Sequence, residues 1–122
     1  MSVRYQYLIV RYRPEYSRGE FVNLGVLMWV SDPPEILFRF EQQWDRVSSF
    51  FPKVDKDVFF QSYSEVYEAL DLSYLHPPED RFLELQRTIL DPQGCFPASI
   101  TKAGVCENPQ KRLKELYQEL VA

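Results

Sequence analysis

The sequence predicts a single α+β domain over residues 1–122. Its expected architecture is an antiparallel sheet of three or four strands with three or more helices packed mainly on one face. Three observations predict it. Apolar residues alternate with a period of two through the first third of the chain. Beyond residue 43 the apolar spacing becomes helical. The prolines fall almost entirely between the periodic segments and mark their ends. Strands first and helices later is the order of an α+β domain. A chain of 122 residues buries roughly 65% of its unfolded surface, enough for one core without a covalent staple.

The elements follow in order. Residues 4–13 read as a strand with Tyr5, Tyr7, Ile9, Arg11 and Arg13 on one face and Gln6, Leu8, Val10 and Tyr12 on the other. Residues 20–30 form a longer strand, apolar on both faces and hence central. Val22, Leu24, Val26, Met28 and Val30 share one side, and Phe21, Asn23, Gly25, Leu27 and Trp29 the other. Ser31, Asp32, Pro33 and Pro34 make a turn into a third strand at 35–41. Residues 43–51 suggest a short helix ended by Pro52. Asp55 or Asp57 caps a longer one reaching Leu70. Pro78, Glu79 and Asp80 open another helix that carries Phe82, Leu85, Ile89 and Leu90. A fourth strand is placed at 98–102. Asn108 and Pro109 start a terminal helix with Leu113, Leu116, Tyr117, Leu120 and Val121 at core spacing.

The rare residues exclude whole classes of chemistry. With one histidine, His76, and two cysteines, Cys95 and Cys106, neither a Cys/His zinc site nor a Ser-His-Asp triad is expected. Four glycines are too few for a glycine-rich phosphate cradle, and no cofactor is expected. The cysteines read as two reduced thiols, Cys106 as an inert one despite its place at a helix start, and His76 as a loop residue. No apolar run is long enough to span a bilayer and no signal-like h-region is seen, so the expectation is a cytoplasmic protein without a membrane contact.

The net charge of −4 argues against a polyanion partner for the chain as a whole. The charge is uneven. Arg4, Arg11, Arg13 and Arg18 against Glu15 leave residues 1–18 at +3 and the remainder at −7.

The segment Arg18-Gly19-Glu20-Phe21-Val22-Asn23-Leu24-Gly25-Val26 resembles that of a bacterial family called domain of unknown function 3037. The closing Gly104-Val105-Cys106-Glu107-Asn108-Pro109 and the terminal helix resemble its C-terminal end, with Asn108 where the family often has Asp. Either side chain caps a helix. The resemblance implies a bacterial protein of no established activity. Family genes often neighbour genes for kinases resembling the toxin HipA. This implies an accessory role in a toxin–antitoxin or defence-type module.

Arg11, Arg13, Arg18, Glu20 and Asn23 are the candidate site for an anion or a protein partner. Arg18 offers a fork for an acidic group, Glu20 fixes its geometry, and Asn23 holds the strand or reads a partner's backbone. The same residues also have a structural reading: a turn at Arg18-Gly19, a charge pair for Glu20, and a bulge or a buried backbone group stabilised by Asn23 and Gly25. The leading function is a non-catalytic interaction protein with a protein partner, a HipA-like kinase among the candidates. One alternative is a metal-dependent enzyme acting on phosphodiesters or nucleotides, through Glu20, Asp32, Glu41 and Asp45. Another is a nucleic-acid binder using Tyr5, Tyr7, Tyr12 and Tyr16 among the arginines. Trp29, Trp44, Phe50 and Phe51 are candidates for an exposed partner-binding patch. An open-edged antiparallel sheet also allows a homodimer.

Overall fold

A computed structural model describes residues 2–14, 19–40, 43–71, 82, 83, 85 and 95–121. Four strands form one antiparallel sheet: β1 (Val3–Tyr12), β2 (Val22–Ser31), β3 (Pro34–Phe40) and β4 (Lys102–Cys106), in the order β3-β2-β1-β4. Three helices accompany them among the described residues: α1 (Trp44–Phe50), α2 (Lys56–Asp71) and α3 (Pro109–Leu120). The α+β architecture is that expected from the order of periods.

The sheet separates two apolar layers. On one face Leu8, Val10, Tyr12, Leu24, Leu27 and Phe40 pack with Val47 of α1 and Phe59, Val66 and Leu70 of α2. Buried Phe82, Leu85 and Phe96 join this layer. Aromatic rings knit it together: Tyr12 meets the Phe59 ring edge-on at 4.9 Å, and Phe40 stacks on Tyr63 at 4.8 Å. On the other face Tyr5, Val26, Met28 and Val30 pack with Leu113, Leu116, Tyr117 and Val121. The helical cover is therefore mainly on the first face, and α3 alone among the described helices lies across the second. The apolar character of both faces of β2 has this cause.

The helix caps act as their sequences suggest. The Asp55 carboxylate accepts from the backbone N–H groups of Asp57 at 2.9 Å and Val58 at 3.1 Å, which places the cap of α2 at Asp55. The Asn108 side chain accepts from the Lys111 N–H at 3.2 Å, and Pro109 occupies the first turn of α3.

Three sequence expectations are adjusted. First, the register of β1 on β2 shifts between Val10 and Arg11: Val10 pairs with Gly25, and Arg11 pairs with Asn23. Leu24 is thus an extra residue on β2, a bulge. The phase of the strand changes there, so Val22 and Leu24 join Leu27 in the first layer rather than Val26 and Met28 in the second. Second, β2 begins at Val22, and Glu20 and Phe21 precede it. Third, the fourth strand lies at Lys102–Cys106, and Ala98 makes only an isolated bridge to Val10. Residues 95–99 still run along β1: Arg11 N–H donates to Pro97 O at 2.9 Å, Arg13 N–H to Cys95 O at 2.7 Å, and Ser99 N–H to Ile9 O at 2.9 Å. The helix expected from Pro78 falls mostly outside the described residues, as do His76, Glu41, Tyr16 and Arg18.

Gly25 follows from close approach between strands. A β-carbon there would lie 2.6 Å from Arg39 O and 2.8 Å from the Phe40 Cα. The Phe40 ring occupies the space that a side chain at 25 would need.

Candidate functional site

The family-like segment and the end of the chain meet at one end of the sheet. The bulge at Leu24 turns Asn23 toward the face covered by α3. Its Nδ2 donates to Leu120 O at 2.9 Å, and its Oδ1 accepts from Arg11 Nε at 3.3 Å. Arg46 of α1 reaches the same place: its Nη1 donates to Val121 O and lies 3.4 Å from Asn23 O. The last carbonyls of α3 thus face an amide and a guanidinium, the donors that a helix C-terminus lacks. Asn23 and Arg46 anchor α3 to the sheet.

Two phenylalanines stand beside this anchor. Phe21 is 43% exposed and Phe50 is 66% exposed. They border a depression of about 310 Å³ lined also by Val22, Asn23, Arg46 and Leu120. The Arg11 guanidinium lies over the Phe21 ring, 4.2 Å from its centroid. Partial burial pulls the Arg11 pKa below its ordinary value, though a guanidinium keeps its charge. A second depression of about 460 Å³ adjoins on Arg46, with Gln43, Trp44, Asp45, Lys56 and Phe60 around it. The site joins aromatic surface to fixed positive charge.

The predicted site residues divide. Arg11 and Asn23 are brought into hydrogen-bond contact. Arg13 is half-buried, its backbone held by Cys95. Glu20 is exposed on the approach to β2, next to Gly19, whose φ of 92° lies in the left-handed region that favours glycine. Arg18 itself lies outside the described residues.

Of the four aromatics proposed as an exposed patch, Phe50 alone is strongly exposed. Phe51 is buried, Trp44 packs against Phe59 and Phe60, and Trp29 is half-buried against the first layer. Phe21 and Arg46 belong to the site and were not singled out from sequence. Phe21 sits in an apolar run that reads as strand interior. Arg46 carries no local signal, since its partners are 23 and 75 residues away.

Tyr5 and Tyr12 are buried on opposite faces, with the Tyr5 hydroxyl accepting from Arg112 Nε at 3.0 Å. The tyrosines of β1 therefore do not form one stacking row. Among the described residues no three His, Cys, Asp or Glu side chains come together to hold a metal ion. Cys106 is a free thiol, and burial pushes its pKa up. No described helix is long and apolar enough to cross a membrane.

Residues 7–121 match the family described as protein of unknown function (DUF3037). The chain belongs to this family. The match covers β1 from Tyr7 through α3, and so includes every residue of the site described above. No curated protein and no solved structure matches the DUF3037 chain.

Proposed function

We propose that this DUF3037 protein is a non-catalytic interaction protein that docks a protein partner at the Phe21–Phe50 end of the sheet. The observation that carries the reading is the pair of exposed phenylalanines on either side of a depression floored by Asn23 and Arg46. Aromatic anchors and arginine are the residue types that dominate binding energy at protein interfaces. Arg11 and Arg46 favour a partner segment in which an apolar side chain stands beside a carboxylate. Arg11 and Asn23 then serve the site through position: they set Phe21 and the end of α3. Glu20, Arg13 and Arg18 flank the entry. The family resemblance makes a HipA-like kinase in a toxin–antitoxin or defence-type module the first partner to test, within a bacterial cytoplasm.

The test is affinity capture from the native cell with the wild type and with a Phe21→Ala, Phe50→Ala variant. The captured protein is then titrated in pure form. The reading expects one stoichiometric protein partner whose affinity falls about 30-fold or more in the variant. A partner held equally by both proteins overturns it.

A further inference from the structure

We infer that Arg46 is the residue that reads the partner's charge: its guanidinium takes the carboxylate of an acidic side chain, and the depression beside it takes the apolar side chain of the adjacent residue. The inference rests on the docking site proposed above and names the chemistry of its occupant. Arg46 is held in place by neutral groups. Its Nη1 donates to Val121 O and lies 3.4 Å from Asn23 O. Among the described residues no carboxylate stands within ion-pair distance of it, and no acceptor meets its Nε or Nη2. Those two nitrogens form an edge of the guanidinium that matches the two oxygens of a carboxylate. Anchoring through Nη1 leaves that edge open and fixes its direction before a partner arrives, which lowers the ordering cost of binding.

The surroundings select an anion beside an apolar group. Arg46 is the one charged side chain among the described residues that line the 310 Å³ depression, and Phe21, Val22, Phe50 and Leu120 make the rest of it apolar apart from Asn23. Arg46 is half-buried, so water and salt screen its charge less than that of a fully exposed arginine. Beyond the Phe21 ring Arg11 adds a second cation, and it too has no carboxylate within ion-pair distance among the described residues. On the other side of Arg46, Asp45 and Lys56 bring one charge of each sign to the 460 Å³ depression and leave the balance positive. A phosphate group fits this arrangement less well. Its three oxygens and greater charge call for donors converging from several side chains. Arg11 has its Nε on Asn23 Oδ1 and its guanidinium over the Phe21 ring, which leaves Arg46 as the single prepared fork.

Three dipeptides, each acetylated and amidated, test this on the full chain: leucyl-glutamate, leucyl-glutamine and leucyl-phosphoserine. The first two have the same shape and differ in charge. Each is titrated while proton–nitrogen correlation spectra follow the Arg46 Nε–H and the Phe21 and Phe50 amides. Leucyl-glutamate is expected to move all three signals with a dissociation constant on the order of 1 mM. Leucyl-glutamine binds about fivefold or more weakly, and about 0.5 M sodium chloride narrows the gap. Leucyl-phosphoserine binds no more tightly than leucyl-glutamate. Arg46→Lys keeps the charge but lacks the fork, and loses most of the preference for glutamate over glutamine. Far-UV circular dichroism checks that this variant is folded, and the comparison of peptides on the wild type does not depend on it. Equal binding of the glutamate and glutamine peptides, with the Phe21 and Phe50 signals still moving, overturns this inference and leaves the docking site standing. So does a tighter phosphoserine peptide, or a glutamate peptide that leaves the Arg46 signal unmoved. Peptides that all leave the Phe21 and Phe50 signals unmoved overturn the docking site and this inference with it.

Discussion

Asn23→Ala removes the side chain that ties the bulge in β2 to the end of α3. The cost follows from its two contacts. The bond from Nδ2 to Leu120 O, at 2.9 Å, contributes about 1 kcal/mol net. Losing the donor also leaves a half-buried carbonyl in the last turn short of a partner, which adds about 1 kcal/mol. The contact from Arg11 Nε, at 3.3 Å, is long and adds little. The expected loss is about 2 kcal/mol. With 122 residues and about 2.1 cal/mol/K per residue, the unfolding entropy is about 0.26 kcal/mol/K, so Tm falls by about 8 °C. Urea unfolding measures the free energy and calorimetry the Tm. Hydrogen exchange locates the change: the Val121 amide, bonded to Tyr117 O at 2.9 Å, exchanges faster in the variant. A loss below about 0.5 kcal/mol, with Val121 exchange unaltered, would falsify the anchoring role of Asn23.

Other substitutions probe the remaining parts of the account. Gly25→Ala drives a methyl group into Arg39 O and the Phe40 backbone and is expected to cost about 2 kcal/mol or more in urea unfolding, because backbone rather than a flexible side chain must move. Asp55→Ala unmakes the two capping bonds of α2 and costs about 1 kcal/mol, with Asp55→Asn recovering most of it. Phe50→Ala, at an exposed side chain, changes stability by less than about 0.5 kcal/mol while weakening partner binding; a large fall in stability would assign Phe50 to the core. Cys106 gives a pH test. Its thiol pKa is raised in the folded protein, chiefly by burial, so its stabilising contribution is complete below the ordinary thiol pKa and is lost as pH rises through the folded value. Cys106→Ser is therefore expected to flatten the stability profile on the alkaline side.

Much of the fold was legible in the sequence because the sheet writes its period directly. Leu8, Val10 and Tyr12 fall on one face of β1 and Tyr5 on the other, as alternation requires. Asn108 and Pro109 mark the start of α3 for local reasons, and local reasons are what a sequence carries best. A bulge was one of two structural roles open to Asn23 and Gly25, and its consequence was not legible. One inserted residue moves Val22 and Leu24 to the opposite layer, and alternation alone cannot register an insertion. The position of α3 on the second face was hidden for a similar reason, since its apolar stripe says that it packs and not against which side of the sheet. The site was half legible. Arg11 and Asn23 were marked by motif and charge. Arg46 acts on residues distant in sequence, and Phe21 is exposed because β2 begins one residue later. Neither fact leaves a local trace.

The central claim is that a protein partner docks at the Phe21–Phe50 end. A photo-crosslinking residue placed at Phe50 tests it most directly, with the exposed α2 position Glu68 as the control. After irradiation in the native cell, cross-linked proteins are identified by mass spectrometry. The account predicts one protein joined at position 50, absent at position 68, and lost when Phe21→Ala is added. The same protein captured equally from both positions, or none captured at position 50, would contradict it.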